Sequence, residues 1–171
     1  MKRMLVVLLL FPVLALAQAS FDKFDGMDDV TSVIVNKKMF QMMGNVKNKE
    51  SQQYLNLIKK LDNLKVFTTQ STRVAGEMKA AADKHIKTAG LEELMRVNDR
   101  GQNIRIMVKS GAGETIVKEL LMFIEGSGKE NESVLMSLTG EFDLNEISLL
   151  TERMNLPGGE QLEKAKGKKT K

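Results

Sequence analysis

Cysteine is absent and histidine occurs once among the 171 residues. Without thiols there is no disulfide framework, no thiolate zinc site, no iron–sulfur cluster, no cysteine nucleophile and no lipid-modified N-terminal cysteine. With His85 as the sole imidazole, histidine triads and multi-histidine metal centres rest on one side chain, which removes most hydrolase and metalloenzyme designs. Aromatics are scarce as well, seven Phe and one Tyr against twelve Met, so methionine serves as core filler. A sustained charge of one sign is also missing. The net +4 lies at the two ends, in Lys2 and Arg3 and in a tail from Glu160 to Lys171 that carries five lysines and two glutamates. The body between them is close to neutral, which speaks against nucleic acid as a partner.

Met1-Lys2-Arg3 is a basic start, Met4 to Leu14 is apolar apart from Pro12, and Ala15-Leu16-Ala17 offers the small-x-small pattern that signal peptidase reads. Residues 1–17 are therefore expected to be a cleaved signal, with Ala15 and Ala17 at the cleavage motif and Gln18 as the new N-terminus. The apolar run is shorter than the ~20 residues a spanning helix needs. No later segment is long and apolar enough to span. The expectation is an exported protein, periplasmic or extracellular, soluble after signal removal. A chain of this length buries roughly 70% of its unfolded surface, enough for one domain without staples. That domain is placed at 18–159, followed by a disordered lysine-rich tail at 160–171.

Val30 to Val35 is rich in β-branched residues and reads as a strand. Asn36 then caps a short helix that Gly44 ends. Tyr54, Leu57, Ile58 and Leu61 recur at helical spacing, which predicts a helix from about Ser51 to Asp62. Leu64 to Thr69 follows as a strand. Ser71 caps a third helix running to about Thr88, with Val74, Met78, Ala81 or Ala82, and His85 on its inner side. The second half is a run of strands: Leu91 to Val97, Asn103 to Lys109 after a loop at 98–102, Ile116 to Ile124, and the alternating Val134, Met136, Leu138 and Phe142. A polar loop separates the last two. Asp143 and Glu146 open a final helix that points Leu144, Ile147, Leu150 and Met154 inward. The fold class is α+β: an antiparallel or mixed sheet of about five to six strands, with helices packed mainly on one face.

Phe21-Asp22-Lys23-Phe24, the segment Val30 to Phe40, and Val134 to Leu150 with Leu138-Thr139-Gly140-Glu141-Phe142-Asp143-Leu144 at its centre resemble an exported bacterial family, domain of unknown function 4252. Many relatives in that family are lipoproteins with a cysteine after the signal, where this chain has Ala17-Gln18. The resemblance implies location and fold. It implies no activity and supplies no catalytic residues.

The candidate chemistry is thin. His85 has no partner that spacing identifies, and a general base needs a positioned second group, so a packing role is expected. Asp25, Asp28 and Asp29 gather around Gly26 as cation ligands would, without the closing bidentate glutamate of a calcium loop. Gly126-Ser127-Gly128-Lys129 lacks the hydroxyl after the lysine and the following helix that a phosphate loop needs. Met39, Met42 and Met43 could offer thioethers to Cu(I), but they also sit at core-forming spacing. The tail lysines have no apolar anchor to bring them onto a membrane. No cofactor and no metal are implied.

Function then falls to surfaces. If Ile104, Ile106, Val108, Val134, Met136 and Leu138 face the helices, strand alternation puts Arg105, Met107, Leu121, Phe123 and Leu135 together on the opposite face. Left open, that patch marks a binding site for a protein or a small apolar ligand. Alternatively, the 51–62 helix crosses over and covers it as a second core layer. The first reading is a non-enzymatic envelope binding module. Carboxylate chemistry at Asp25 to Asp29 and a structural or carrier role are the alternatives, and oligomeric state is left open.

Overall fold

The structure, a computed structural model, describes residues 21–45, 52–99, 101–126, 132–155 and 157. The expected signal, the tail and most of the loop between the last two strands lie outside them. After a 3-10 turn at Asp22–Phe24 come β1 (Thr31–Asn36), α1 (Lys37–Gly44), α2 (Gln52–Lys59), β2 (Leu61–Thr69) and α3 (Thr72–Ala89). Then follow β3 (Glu92–Asp99), β4 (Gln102–Ser110), β5 (Ile116–Glu125), β6 (Ser133–Asp143), a second 3-10 turn at Leu144–Glu146, and α4 (Ile147–Met154). No described helix is long and apolar enough to cross a membrane.

The six strands form one sheet in the order β1-β2-β6-β5-β4-β3, antiparallel at every pairing. The predicted meander supplies β3 to β6, and β2 adds to its far side against β6. Turn and cap chemistry place the ends. The Asn36 side chain accepts from the Met39 amide at 3.0 Å and opens α1, while Ser71 opens α3 and Gly90 closes it in the left-handed conformation with φ 66°. Asn155, φ 48°, closes α4 in the same way.

Two boundaries differ from the sequence reading. Leu61 does not extend the second helix but begins β2, paired with Gly140 across a bulge between Leu61 and Asn63. Gly140 has φ 145°, and a Cβ there would lie 2.4 Å from the Lys60 carbonyl oxygen. The missing side chain at 140 lets the chain turn from helix into strand against β6. The 98–102 loop is also tighter than expected, since the β3–β4 ladder reaches the pair Asp99 and Gln102.

The sheet carries a core on each face. On one face Phe40 of α1, Tyr54, Leu57 and Ile58 of α2, and Ile147 and Leu150 of α4 pack on Leu64, Val66, Ile106, Leu120, Met122, Met136 and Leu138. Strand alternation predicts this face. The opposite face carries Phe67, Met107, Leu121, Phe123 and Leu135, buried under Val74, Met78 and Ala82 of α3 and under Phe21 and Phe24 of the N-terminal turn. This corrects the expected open patch. Arg105, Met107, Leu121, Phe123 and Leu135 do come together, but beneath α3 rather than on an open surface: Phe123 is 4% exposed, Leu121 and Leu135 are fully buried, and only Arg105 is of intermediate exposure. The cover is α3, which crosses from β2 to β3 at the far edge, and not the 51–62 helix. Three helices still share one face, so helix packing is mainly one-sided, with the longest helix on the other.

Candidate functional site

Cross-strand rows on the α3 face change character along the strands. The row Phe67, Leu135, Phe123 and Arg105 is largely apolar, the next runs Lys65, Ser137, Leu121 and Met107, and the third is Asn63, Thr139, Glu119 and Lys109. Apolar rows lie under α3. The polar row lies near its C-terminal end. There the ladders are broken by bulges at Leu61/Asn63, Val117/Glu119 and Lys109/Ser110. Bulges bend strands and re-aim side chains, and they recur beside functional sites. Here they border a cleft of about 380 Å³ lined by residues of the second and third rows and of all three bulges, together with Phe21 and His85.

His85 forms one wall of this cleft. It occupies the inner face of α3, 3% exposed, and its Nε2 lies 2.5 Å from Oε1 of Glu119 on β5. An ionised carboxylate only accepts, so against an ionised Glu119 it is the imidazole Nε2–H that donates. Phe21 packs edge-on to the imidazole with ring centroids 5.1 Å apart. The partner sought in the sequence is thus Glu119, thirty-four residues away, and a three-dimensional neighbour of that kind leaves no mark in helical spacing. Sequence reasoning missed it, although Glu119 interrupting the apolar Ile116–Ile124 run was a usable signal: a charge on a central strand needs a partner.

Other charges are already committed. Lys65, buried in β2, pairs with Asp22 of the N-terminal turn. Arg105 donates from Nη1 to Asp83 of α3 at 2.8 Å, so the arginine of the expected surface patch pins the helix that covers it. Lys37 holds Asp62 at 2.7 Å. Lys109 and Lys118 make no ion pair among the described residues and are exposed at the rim. In the wall, Asn63 Oδ1 and Thr139 Oγ1 are buried with no hydrogen-bond partner among the described residues, and they are direct cross-strand neighbours.

The remaining sequence candidates are dispersed. Asp25, Asp28 and Asp29 are all exposed: Asp25 accepts from Ser32 Oγ at 2.6 Å, and the Asp29 carbonyl accepts from Thr69 Oγ1 at 2.7 Å. Among the described residues no group of three or more His, Asp or Glu side chains is placed to hold a metal ion. Met39 and Met42 are exposed on α1 while Met43 packs against the core, so the three thioethers do not share one environment. Ser127, Gly128 and Lys129, the cleavage residues Ala15, Ala17 and Gln18, and the tail lie outside the described residues.

Fold and site together define an α+β domain with two helix-covered sheet faces and one polar cleft at the end of the second. Residues 24–150 match the model of a family described as domain of unknown function 4252, and the chain belongs to that family. No curated protein matches the chain, and no solved structure does.

Proposed function

We propose that this is an exported, non-enzymatic binding module whose ligand site is the cleft at the C-terminal end of α3. One observation carries the reading: a 380 Å³ concavity in which Lys109, Lys118 and Glu141 have no ion-pair partner among the described residues while Glu119, Lys65 and Asp62 are each paired, which leaves an excess of one positive charge. A cleft of a few hundred cubic ångströms suits a small molecule or a chain terminus. Two ammonium groups favour a carboxylate or phosphate, and the Phe21 ring offers an apolar surface for its body. Export is supported by the basic start, the apolar run and Ala15-Leu16-Ala17.

The test is a thermal-shift screen of small carboxylates and phosphates, followed by calorimetry on any hit. Lys109→Glu combined with Lys118→Glu should abolish binding and leave the unliganded melting temperature nearly unchanged, because both lysines are exposed. Binding that survives the double variant sinks this site.

An enzymatic second reading draws on one observation. Ser137 lines the same cleft as the His85 and Glu119 pair, which resembles the base and orienter of a nucleophilic triad. Ser137 makes no hydrogen bond to His85, however, and a hydroxyl nucleophile needs that contact for activation. The exposed carboxylates at Asp25 to Asp29 give the other enzymatic alternative no enclosing site. Turnover of an acyl or phosphoryl substrate lost in Ser137→Ala would favour the enzyme.

A further inference from the structure

The two edges of the sheet are built differently. β3, at one edge, carries Glu92, Glu93 and Arg96 and has a bulge between Glu93 and Met95. Charges and bulges are the usual means by which an edge is kept from pairing with another chain. β1, at the other edge, reads Thr-Ser-Val-Ile-Val-Asn, with no charge, no proline and no bulge. Its outer side has no strand partner among the described residues, and Val33 and Ile34 are each 43% exposed.

We propose that β1 is the interface for a second copy of this chain, paired antiparallel across a two-fold axis perpendicular to the sheet. Such an axis keeps the same sheet face uppermost in both copies, so residues of equal parity stand opposite each other. In the register centred on Val33, Val33 meets its own counterpart, Ser32 meets Ile34, and Thr31 meets Val35. Beyond the strand ends, Asp28 and Asp29 lie in the turn before β1 and Lys37 and Lys38 open α1. Antiparallel pairing places the acidic end of one copy beside the basic end of the other. Asp28 and Lys38 are exposed and make no ion pair among the described residues. On the face to which Val33 points, α1 adds two exposed apolar side chains, Met39 and Met42. A neutral self-complementary strand flanked by opposite charges fits its own copy better than it fits an arbitrary peptide.

The experiment is sedimentation equilibrium on the protein purified from its host, across a concentration series. The wild type should be a dimer that dissociates on dilution. Val33→Lys and Val33→Glu, at a half-exposed position, should each be monomeric at the same concentration with a melting temperature close to wild type, and mixing the two should restore the dimer. Lys38→Asp reverses a charge at the basic end that faces the acidic end of the other copy and should weaken the dimer without touching the strand, which covers the case in which a Val33 variant fails to fold. A wild type that stays monomeric throughout the series, or a dimer indifferent to Val33→Lys or, where that variant does not fold, to Lys38→Asp, overturns the proposal. The first of these outcomes would leave β1 to the strand of another protein.

Discussion

Replacing Phe123 by serine separates a core from a surface. Phe123 stands in the middle of β5, with Arg105 beside it on β4 and Leu135 on β6, and it belongs to the cluster closed by Val74 and Met78 of α3. At 4% exposure almost the whole ring is out of water. Deleting a buried Phe side chain costs about 3–5 kcal/mol, combining lost transfer free energy with the residual cavity. The serine hydroxyl adds about 1 kcal/mol or more unless it finds a partner. The nearby Arg105 is engaged with Asp83 through Nη1 at 2.8 Å, but its Nε is buried without a hydrogen-bond partner among the described residues and can donate to the new hydroxyl. The expected loss is therefore about 3–6 kcal/mol, a large share of the ~5–15 kcal/mol that holds a domain folded. Urea unfolding followed by circular dichroism measures it, with an unchanged m-value confirming that the same surface is exposed on unfolding. A loss below about 1 kcal/mol would mean that α3 does not cover this face. The second-core assignment would then be wrong, and the open patch of Arg105, Met107, Leu121, Phe123 and Leu135 would return.

Other consequences are sharper in sign than in size. His85→Ala strands the Glu119 carboxylate beside an emptied site against Phe21 and should cost about 3 kcal/mol, whereas His85→Gln keeps a donor and should cost about half that; a double-mutant cycle with Glu119→Gln should show a coupling of about 1–3 kcal/mol. Gly140→Ala forces a side chain onto φ 145° and within 2.4 Å of the Lys60 oxygen, so chemical denaturation should show a loss of about 3 kcal/mol or no folded protein. Asn36→Ala should cost about 1 kcal/mol, and Ser71→Ala less, because the two caps reach their amides at 3.0 Å and 3.5 Å; equal losses would show that cap distance does not set the difference.

Much of the architecture was legible because periodicity and punctuation agree. The β-branched run at β1, the cap at Asn36, the pairing of Ser71 with Gly90 and the alternation in β4 and β6 each name one element. What was not legible is where a helix goes after it forms. The inner face of α3, Val74, Met78, Ala82 and His85, is written in the sequence, but nothing in a 3.6-residue period says which side of the sheet receives it. One clue pointed to two covered faces: β5 is apolar at both parities, as a strand buried on both sides must be. The cleft was invisible for a different reason. Its residues come from β2, β4, β5, β6 and α3 and from Phe21, and they meet only through the strand register and the packing of α3 and the N-terminal turn on it.

The N-terminal segment ties these observations together. Phe24 packs on Phe67 with centroids 5.8 Å apart, Asp22 pairs with Lys65, and Phe21 lies against His85 and lines the cleft. Residues 21 to 24 thus close the second core at the row where apolar side chains give way to polar ones. Lys65 and Glu119 are charges on inner strands, and each is offset by a group brought to it from outside the sheet, Asp22 and His85 respectively. Removing His85 leaves the Glu119 carboxylate poorly solvated, the costly half of a broken buried pair. The short segment and the end of α3 therefore depend on one another through Phe21 and His85, and a ligand held in the cleft at Phe21 would stabilise both. By linkage, that stabilisation grows with ligand concentration above Kd, so amides near residues 21 to 24 and 82 to 89 should gain protection together on binding. Protection confined to one of the two would show that they open independently and that Phe21 is not a shared wall.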